Sequence, residues 1–106
     1  MLSQFSIYPL GHTRHLSKDV ARVVETLKAT GLHFQLGPLS TSVEGDWNKV
    51  FQAIHKCHEE LVAQHGRVIT TIVIDDNRVA PHSLEDMVNS VNKELASHRH
   101  DQEIER

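Results

Sequence analysis

Residues 32–51 read LHFQLGPLSTSVEGDWNKVF, and the pattern changes twice along them. Leu32, Phe34 and Leu36 alternate with His33 and Gln35, Gly37-Pro38 interrupts, and alternation resumes at Leu39, Thr41 and Val43. Two short alternating runs about a Gly-Pro break predict a β-hairpin. From Trp47 the spacing becomes helical: Val50, Phe51, Ile54, Leu61 and Val62 form one stripe that closes near Gly66. At the joint stand Glu44, Gly45 and Asp46. Asp46 reads as the N-cap, because a short carboxylate there accepts from the free N–H groups of the first turn.

Working outward, Phe5 and Ile7 alternate with Gln4, Ser6 and Tyr8 until Pro9 and Gly11 end a first strand. Ser17 reads as an N-cap with Leu16 as its staple, and Val20, Val23, Val24 and Leu27 follow at helical spacing up to Gly31. Downstream, RVITTIVIDD is β-branched and apolar on both parities, Val68, Ile72 and Ile74 against Ile69 and Val73, which predicts a strand covered on both faces. Ser83 and Asp86 have capping-box spacing before a helix carrying Leu84, Met87, Val88, Val91 and Leu95. The order β-α-β-β-α-β plus a terminal helix predicts an α+β, ferredoxin-like antiparallel sheet. Residues 1–97 are expected to form one domain, with 98–106 a polar, frayed tail. Two helices cover only one face of such a sheet, so self-association is the expected cover for the other.

Composition excludes several classes. The 106 residues are 39% hydrophobic and 24% charged, with a formal net charge of -3, and no apolar run approaches the roughly 20 residues of a membrane span. No Lys/Arg stripe offers a track for phosphates, so nucleic acid is not an expected partner. The N-terminus lacks the basic-then-apolar order of a secretory signal, and a single cysteine forms no internal disulfide, so a cytoplasmic setting is expected.

Candidate chemistry is sparse. Parity sets Ser40, Ser42 and Glu44 on the same face as Gln4, Ser6, Tyr8, His33 and Gln35. If register brings them together, hydroxyls, amides, an imidazole and a carboxylate beside the Trp47 indole suit a small polar ring with positive charge. Alternatively Glu44 merely ends a solvated strand. HKCHEE, residues 55–60, offers His55, His58 and Glu59 at chelating spacing, but lacks the HExxH order, and His58 falls within the apolar stripe as a packed core histidine. His12, His15, His98 and His100 read as surface residues. Neither a G-x-S-x-G elbow nor a glycine-rich phosphate loop is present, and Cys57 lies mid-helix, away from the termini that activate thiols.

YPLG, SKDVARVV, LSTSVEGDWNKVF, HEEL and RVITTIVIDD, in this order, resemble the small thiamine-binding protein family, the YkoF-like group of ferredoxin-like domains. Its members run strand-Pro-x-Gly, a Ser-capped helix, a T-x-x-E-G joint, a His-Glu-x-Leu helix and an Arg-Val-x-Thr-x-Ile strand. The likeness spans about Ile7 to Asp75. It implies homodimers or homotetramers formed through sheet faces and edges, and a pocket for thiamine or a related pyrimidine rather than an active site. On matching positions it implies Ser17, Thr41, Glu44 and Gly45 as ligand-binding residues, with Trp47 adjoining and His33 and Tyr8 on the shared face. Glu44 becomes the ligand's acceptor while Asp46 caps. No cofactor or metal is implied beyond the thiamine-like ligand. Two positions depart from the pattern: Asp19 replaces an aromatic residue and Val73 a basic one. Two rival readings are a dimeric α+β barrel enzyme using His33, Tyr8 or Glu44 as acid or base, and an interaction module without ligand.

Overall fold

A computed structural model describes residues 1–11, 16–81 and 83–105, with side chains at the C-terminal end described as far as 98. His12, His15 and the side chain of His100 therefore lie outside the described residues. The elements are β1 (Leu2–Pro9), α1 (Leu16–Thr30), β2 (His33–Leu36), β3 (Thr41–Glu44), α2 (Trp47–His65), β4 (Val68–Asp75) and α3 (Leu84–Glu105). The strands form one antiparallel sheet in the order β2-β3-β1-β4. This is the expected ferredoxin-like arrangement.

Parity decides which face meets the helices. Phe5 lies between Thr41 of β3 and Ile72 of β4, and Ser3 between Val43 and Ile74, so the odd residues of β1 share a face with the apolar residues of both neighbours. Against that face α1 supplies Val23 and Leu27, and α2 supplies Val50, Ala53, Ile54, Cys57 and Leu61, all buried. A polar ladder ties the two helices together: His65 Nε2 to Asp19 Oδ1 at 3.0 Å, Arg22 Nη1 to Gln64 Oε1 at 2.9 Å, and Thr26 Oγ1 to Glu60 Oε2 at 2.8 Å.

Local chemistry fixes the helix ends. Asp46 Oδ1 accepts from Lys49 N at 2.8 Å, as an N-cap does, and Gly66 closes α2 in the left-handed region at φ 79°. Ser83 and Asp86 complete a reciprocal capping box, at 3.0 Å from Asp86 N to Ser83 Oγ and 3.2 Å from Ser83 N to Asp86 Oδ2. Gly45 is demanded by space rather than by backbone freedom. A Cβ there would stand 2.9 Å from Leu32 Cδ2 and 3.2 Å from Val50 Cγ2.

One expectation is corrected. Helix α1 already runs at Leu16, so Ser17 stands inside the first turn rather than at the cap. Helix α3 runs to Glu105. Within one chain strand β4 is covered on one face: Ile69 and Val73 remain exposed, because α3 reaches the far face with its first turns, and the cover expected from self-association is a matter between copies. Leu84 is buried there, while Met87, Val88, Val91 and Leu95 are exposed along the rest of the helix.

Candidate functional site

The register sorts the candidate residues into separate places. Glu44 does lie on the far face, directly opposite His33 of β2 and Leu2 of β1. Tyr8 shares that face but pairs with Ile69. It is six residues along β1 from Leu2, or about 20 Å at the usual strand rise. Glu44 and His33 therefore form one end of the face and Tyr8 the other. Trp47 belongs to neither. It is half-exposed on the first turn of α2, tilted on Phe51 at 4.7 Å between ring centroids, and lines a helix-side groove of about 530 Å³ with His55, His58, Thr70 and Ile72.

Where the first turns of α3 cross the far face they leave a crevice on each flank. One, of about 290 Å³, has Gln4, Gln35, Ser42 and Asp75 on its floor and Leu84, Met87 and Val88 as its roof. Gln4, Ser42 and Gln35 form a single cross-strand row. The other, of about 390 Å³, runs past His33, whose Nε2 is 3.6 Å from Glu85 Oε1. Glu44 is not among the wall residues of either crevice. Its neighbours His33 and Leu2 each line one of them.

A third space is smaller and more enclosed, about 200 Å³ between the start of α1, the β2–β3 turn and β1. Its origin is a mismatch of strand lengths. Strand β1 pairs with β3 only from Leu2 to Phe5 but with β4 as far as Pro9, so beyond Phe5 the edge of β1 that faced β3 has no strand beside it among the described residues. Backbone donors and acceptors left there need partners. Phe5, Ile7, Val20, Val23 and Leu36 supply apolar walls, and into them are set the buried Thr41 and the Asp19 side chain, only 9% exposed. Asp19 stands in the first turn of α1. It accepts from His65 Nε2 at 3.0 Å, and a carboxylate has capacity for further donors.

Of the seven residues singled out from sequence, Thr41 alone lines this cleft; Ser17 lies two residues before Asp19 on α1. Asp19 is the residue the sequence reading undervalued. Its one signal was an acid standing where the resemblance called for an aromatic ring.

Other reactive groups are quiet. Burial, reinforced by the nearby Glu60 carboxylate, pushes the Cys57 thiol up to about 11. His58 Nδ1 is 2.7 Å from Thr70 Oγ1, the hydrogen bond expected, but the ring is half-buried on the groove wall rather than packed in the core. Among the described residues no group of three or more His, Cys, Asp or Glu is placed to hold a metal, and no helix is long and apolar enough to cross a membrane.

Comparison with known proteins adds a chemical direction. A family model described as thiamine-binding protein matches residues 3–92. A UPF0045 protein of Methanothermobacter thermautotrophicus is 33% identical over 96 residues, covering 88% of this chain and 97% of its own. Another, from Bacillus subtilis, is 37% identical over 101 residues, covering 89% and 96%. Among solved structures, a protein of Methanocaldococcus jannaschii superposes with a TM-score of 0.79 at 24% identity, over 86% of this chain and 94% of that one. A Thermotoga maritima protein provisionally assigned to thiamine biosynthesis or salvage gives 0.75 at 19% identity, over 85% and 96%. At these identities the structural likeness concerns the fold.

Proposed function

Because the chain belongs to the thiamine-binding protein family, we propose that it binds thiamine or a related pyrimidine/thiazolium compound without turning it over, with the aminopyrimidine in the cleft between α1 and the β2–β3 turn. One observation carries this reading: a nine-tenths-buried carboxylate, Asp19, in a largely apolar cleft beside the buried Thr41 hydroxyl. A buried carboxylate needs donors; His65 Nε2 meets one oxygen at 3.0 Å, and lone pairs remain for a second. An exocyclic amine on a flat ring supplies such a donor. Thr41 and the unpaired edge of β1 supply the matching donors and acceptors, and the apolar walls take the ring faces.

Size supports a divided ligand. Cleft volume is about 200 Å³, below the roughly 300–1,000 Å³ of sites that enclose a drug-sized molecule. It takes the pyrimidine half, leaving a thiazolium ring at the mouth, where Leu39 is 91% exposed. Binding rather than catalysis is favoured by the protonated, fully buried Cys57. The role is carriage, buffering or sensing of the vitamin in the cytoplasm.

The crevice under α3 is the second reading, favoured by its row of Gln4, Ser42 and Gln35 with Glu44 and His33 at its margin. The same face carries the exposed Tyr8, Ile69 and Val73 beside the exposed stripe of α3. Its cover in this proposal is a second copy, making the binder a homo-oligomer.

Calorimetric titration with thiamine, its phosphates and the free pyrimidine alcohol tests both sites. Asp19→Asn is expected to lower affinity for thiamine and for the pyrimidine alike, and Glu44→Gln to leave both unchanged. The reverse pattern moves the ligand to the crevice. Absence of heat with all three compounds rejects the reading, and consumption of any of them by the unmodified protein favours an enzyme.

A further inference from the structure

Among the described residues, four polar side chains line the cleft between α1 and the β2–β3 turn: Ser6, Asp19, Ser40 and Thr41. Three of them are hydroxyls, which donate or accept as they rotate and so adapt to either kind of guest. Asp19 is the exception. A carboxylate only accepts, and this one is 9% exposed in a cleft walled by Phe5, Ile7, Val20 and Val23.

Its polarity is also fixed from behind. His65 Nε2 lies 3.0 Å from Asp19 Oδ1, and an imidazole nitrogen bonds a carboxylate only by donating, so that proton is committed to Asp19 rather than to a guest. The imidazole is 15% exposed, belongs to the last turn of α2 and is not a wall residue of the cleft. Asp19 is thus held by a contact that lies outside the space a guest would fill.

We propose that Asp19 is the specificity-determining residue of this cleft: it admits a flat heteroaromatic ring carrying an exocyclic amine and rejects the same ring carrying a carbonyl oxygen in its place. The proposal rests on the placement of the aminopyrimidine in this cleft given above. Amine and carbonyl differ little in size, so apolar walls do not separate them, and an apolar pocket rejects an isostere only weakly. Hydrogen-bond polarity does separate them. The amine donates to the second oxygen of Asp19, whereas the carbonyl sets two acceptors against each other between apolar walls. The oxo ring keeps a proton on the neighbouring ring nitrogen, but presenting it to Asp19 means shifting the whole ring within about 200 Å³. Sites that hydrogen-bond one polar group reject the analogue lacking it by roughly 10⁴–10⁵-fold. Asp19 keeps its bond to His65 with either guest, and the cleft opens at the exposed Leu39, so roughly hundredfold discrimination is expected here. Because Asp19 stands where the resemblance calls for an aromatic ring, this selectivity belongs to the chain's own side chain rather than to the fold.

Calorimetric titration of the full chain with thiamine, and with the analogue whose exocyclic amine is replaced by a carbonyl oxygen, tests the proposal. The unmodified chain should bind thiamine roughly hundredfold more tightly. Asp19→Asn, whose amide has the same shape but both donates and accepts, should bring the ratio of affinities close to one, and so should Asp19→Ala, with circular dichroism confirming the fold of each. Thr41→Val should weaken both compounds alike and keep the ratio, and Glu44→Gln should leave it unchanged. Equal affinities in the unmodified chain, or thiamine preferred as strongly by a folded Asp19 variant, would overturn the inference while leaving thiamine binding in place. Loss of both compounds in the Asp19 variants would make this residue an anchor for any guest rather than a selector, and overturns it too. A ratio that collapses in Glu44→Gln moves the ligand to the crevice under α3, and binding of neither compound by the unmodified chain removes the ligand itself; each of these defeats the proposed site together with the inference.

Discussion

Substituting Gly45 by Ala separates packing from ligand binding at the strand-helix joint. An added methyl group meets Leu32 Cδ2 at 2.9 Å and Val50 Cγ2 at 3.2 Å, against about 3.5–4.0 Å for a comfortable carbon contact. Leu32 is partly buried and offers the far end of a flexible side chain, so it yields. Val50 is fully buried and β-branched, with little rotamer freedom, so it does not. The remaining strain passes to the backbone, where Gly45 N donates to Met1 O at 3.1 Å and ties the joint to β1. Overpacking of this kind costs about 1–3 kcal/mol; with Leu32 giving way, the lower half, about 1–2 kcal/mol, is expected. For a domain of this size each kcal/mol lowers Tm by about 4–8 °C. Urea denaturation followed by circular dichroism reads the loss, with the slope unchanged. Shortening Leu32 to Ala in the same chain should relieve part of it, so that the double variant loses less than the sum of the singles by about 1 kcal/mol. An unchanged midpoint, or additive losses, would refute the close-contact account. Lost thiamine affinity with full stability would mean that Gly45 touches ligand.

Two further outcomes are expected. Asp46→Ala should cost about 1 kcal/mol in urea denaturation and leave thiamine affinity intact, because it removes the bond to Lys49 N; an affinity loss larger than the stability loss would reassign this acid. The Cys57 thiol ionises at about 11 in the fold instead of 9.0, so the folded state holds the proton more tightly. Its contribution is full below pH 9 and disappears as pH rises towards 11, on the order of 3 kcal/mol at most. Stability relative to Cys57→Ala should fall across that window, and a constant difference from pH 8 to pH 11 would contradict the burial of the thiol.

Much of the architecture was legible because it is written in short-range patterns. The Gly37-Pro38 break, the Asp46 cap and the Ser83–Asp86 box each depend on residues within a few positions of one another, and each formed as read. Parity was equally readable, and Glu44, His33, Gln35 and Tyr8 do share a face. Position along the strands was not. It depends on the register of β1 against β3 and β4, which set Tyr8 about 20 Å from Glu44. The cleft was illegible for the same reason, since it exists only where β3 stops short of the end of β1. Residues 19 and 41 reach it from elements 22 positions apart. The exposed second face of β4 records a different limit, because apolar residues on both parities reveal that a strand is to be covered without saying by what.

The contact between Asp19 and His65 joins the cleft to the last turn of α2, immediately before Gly66. A guest that donates to Asp19 competes with, or shares, the imidazole's bond. Occupancy at one end of α1 is thereby thermodynamically linked to how firmly the closing turn of the neighbouring helix holds together. Amide exchange at Val62 to Gly66 becomes a remote gauge of an occupied cleft, readable without any label on the guest.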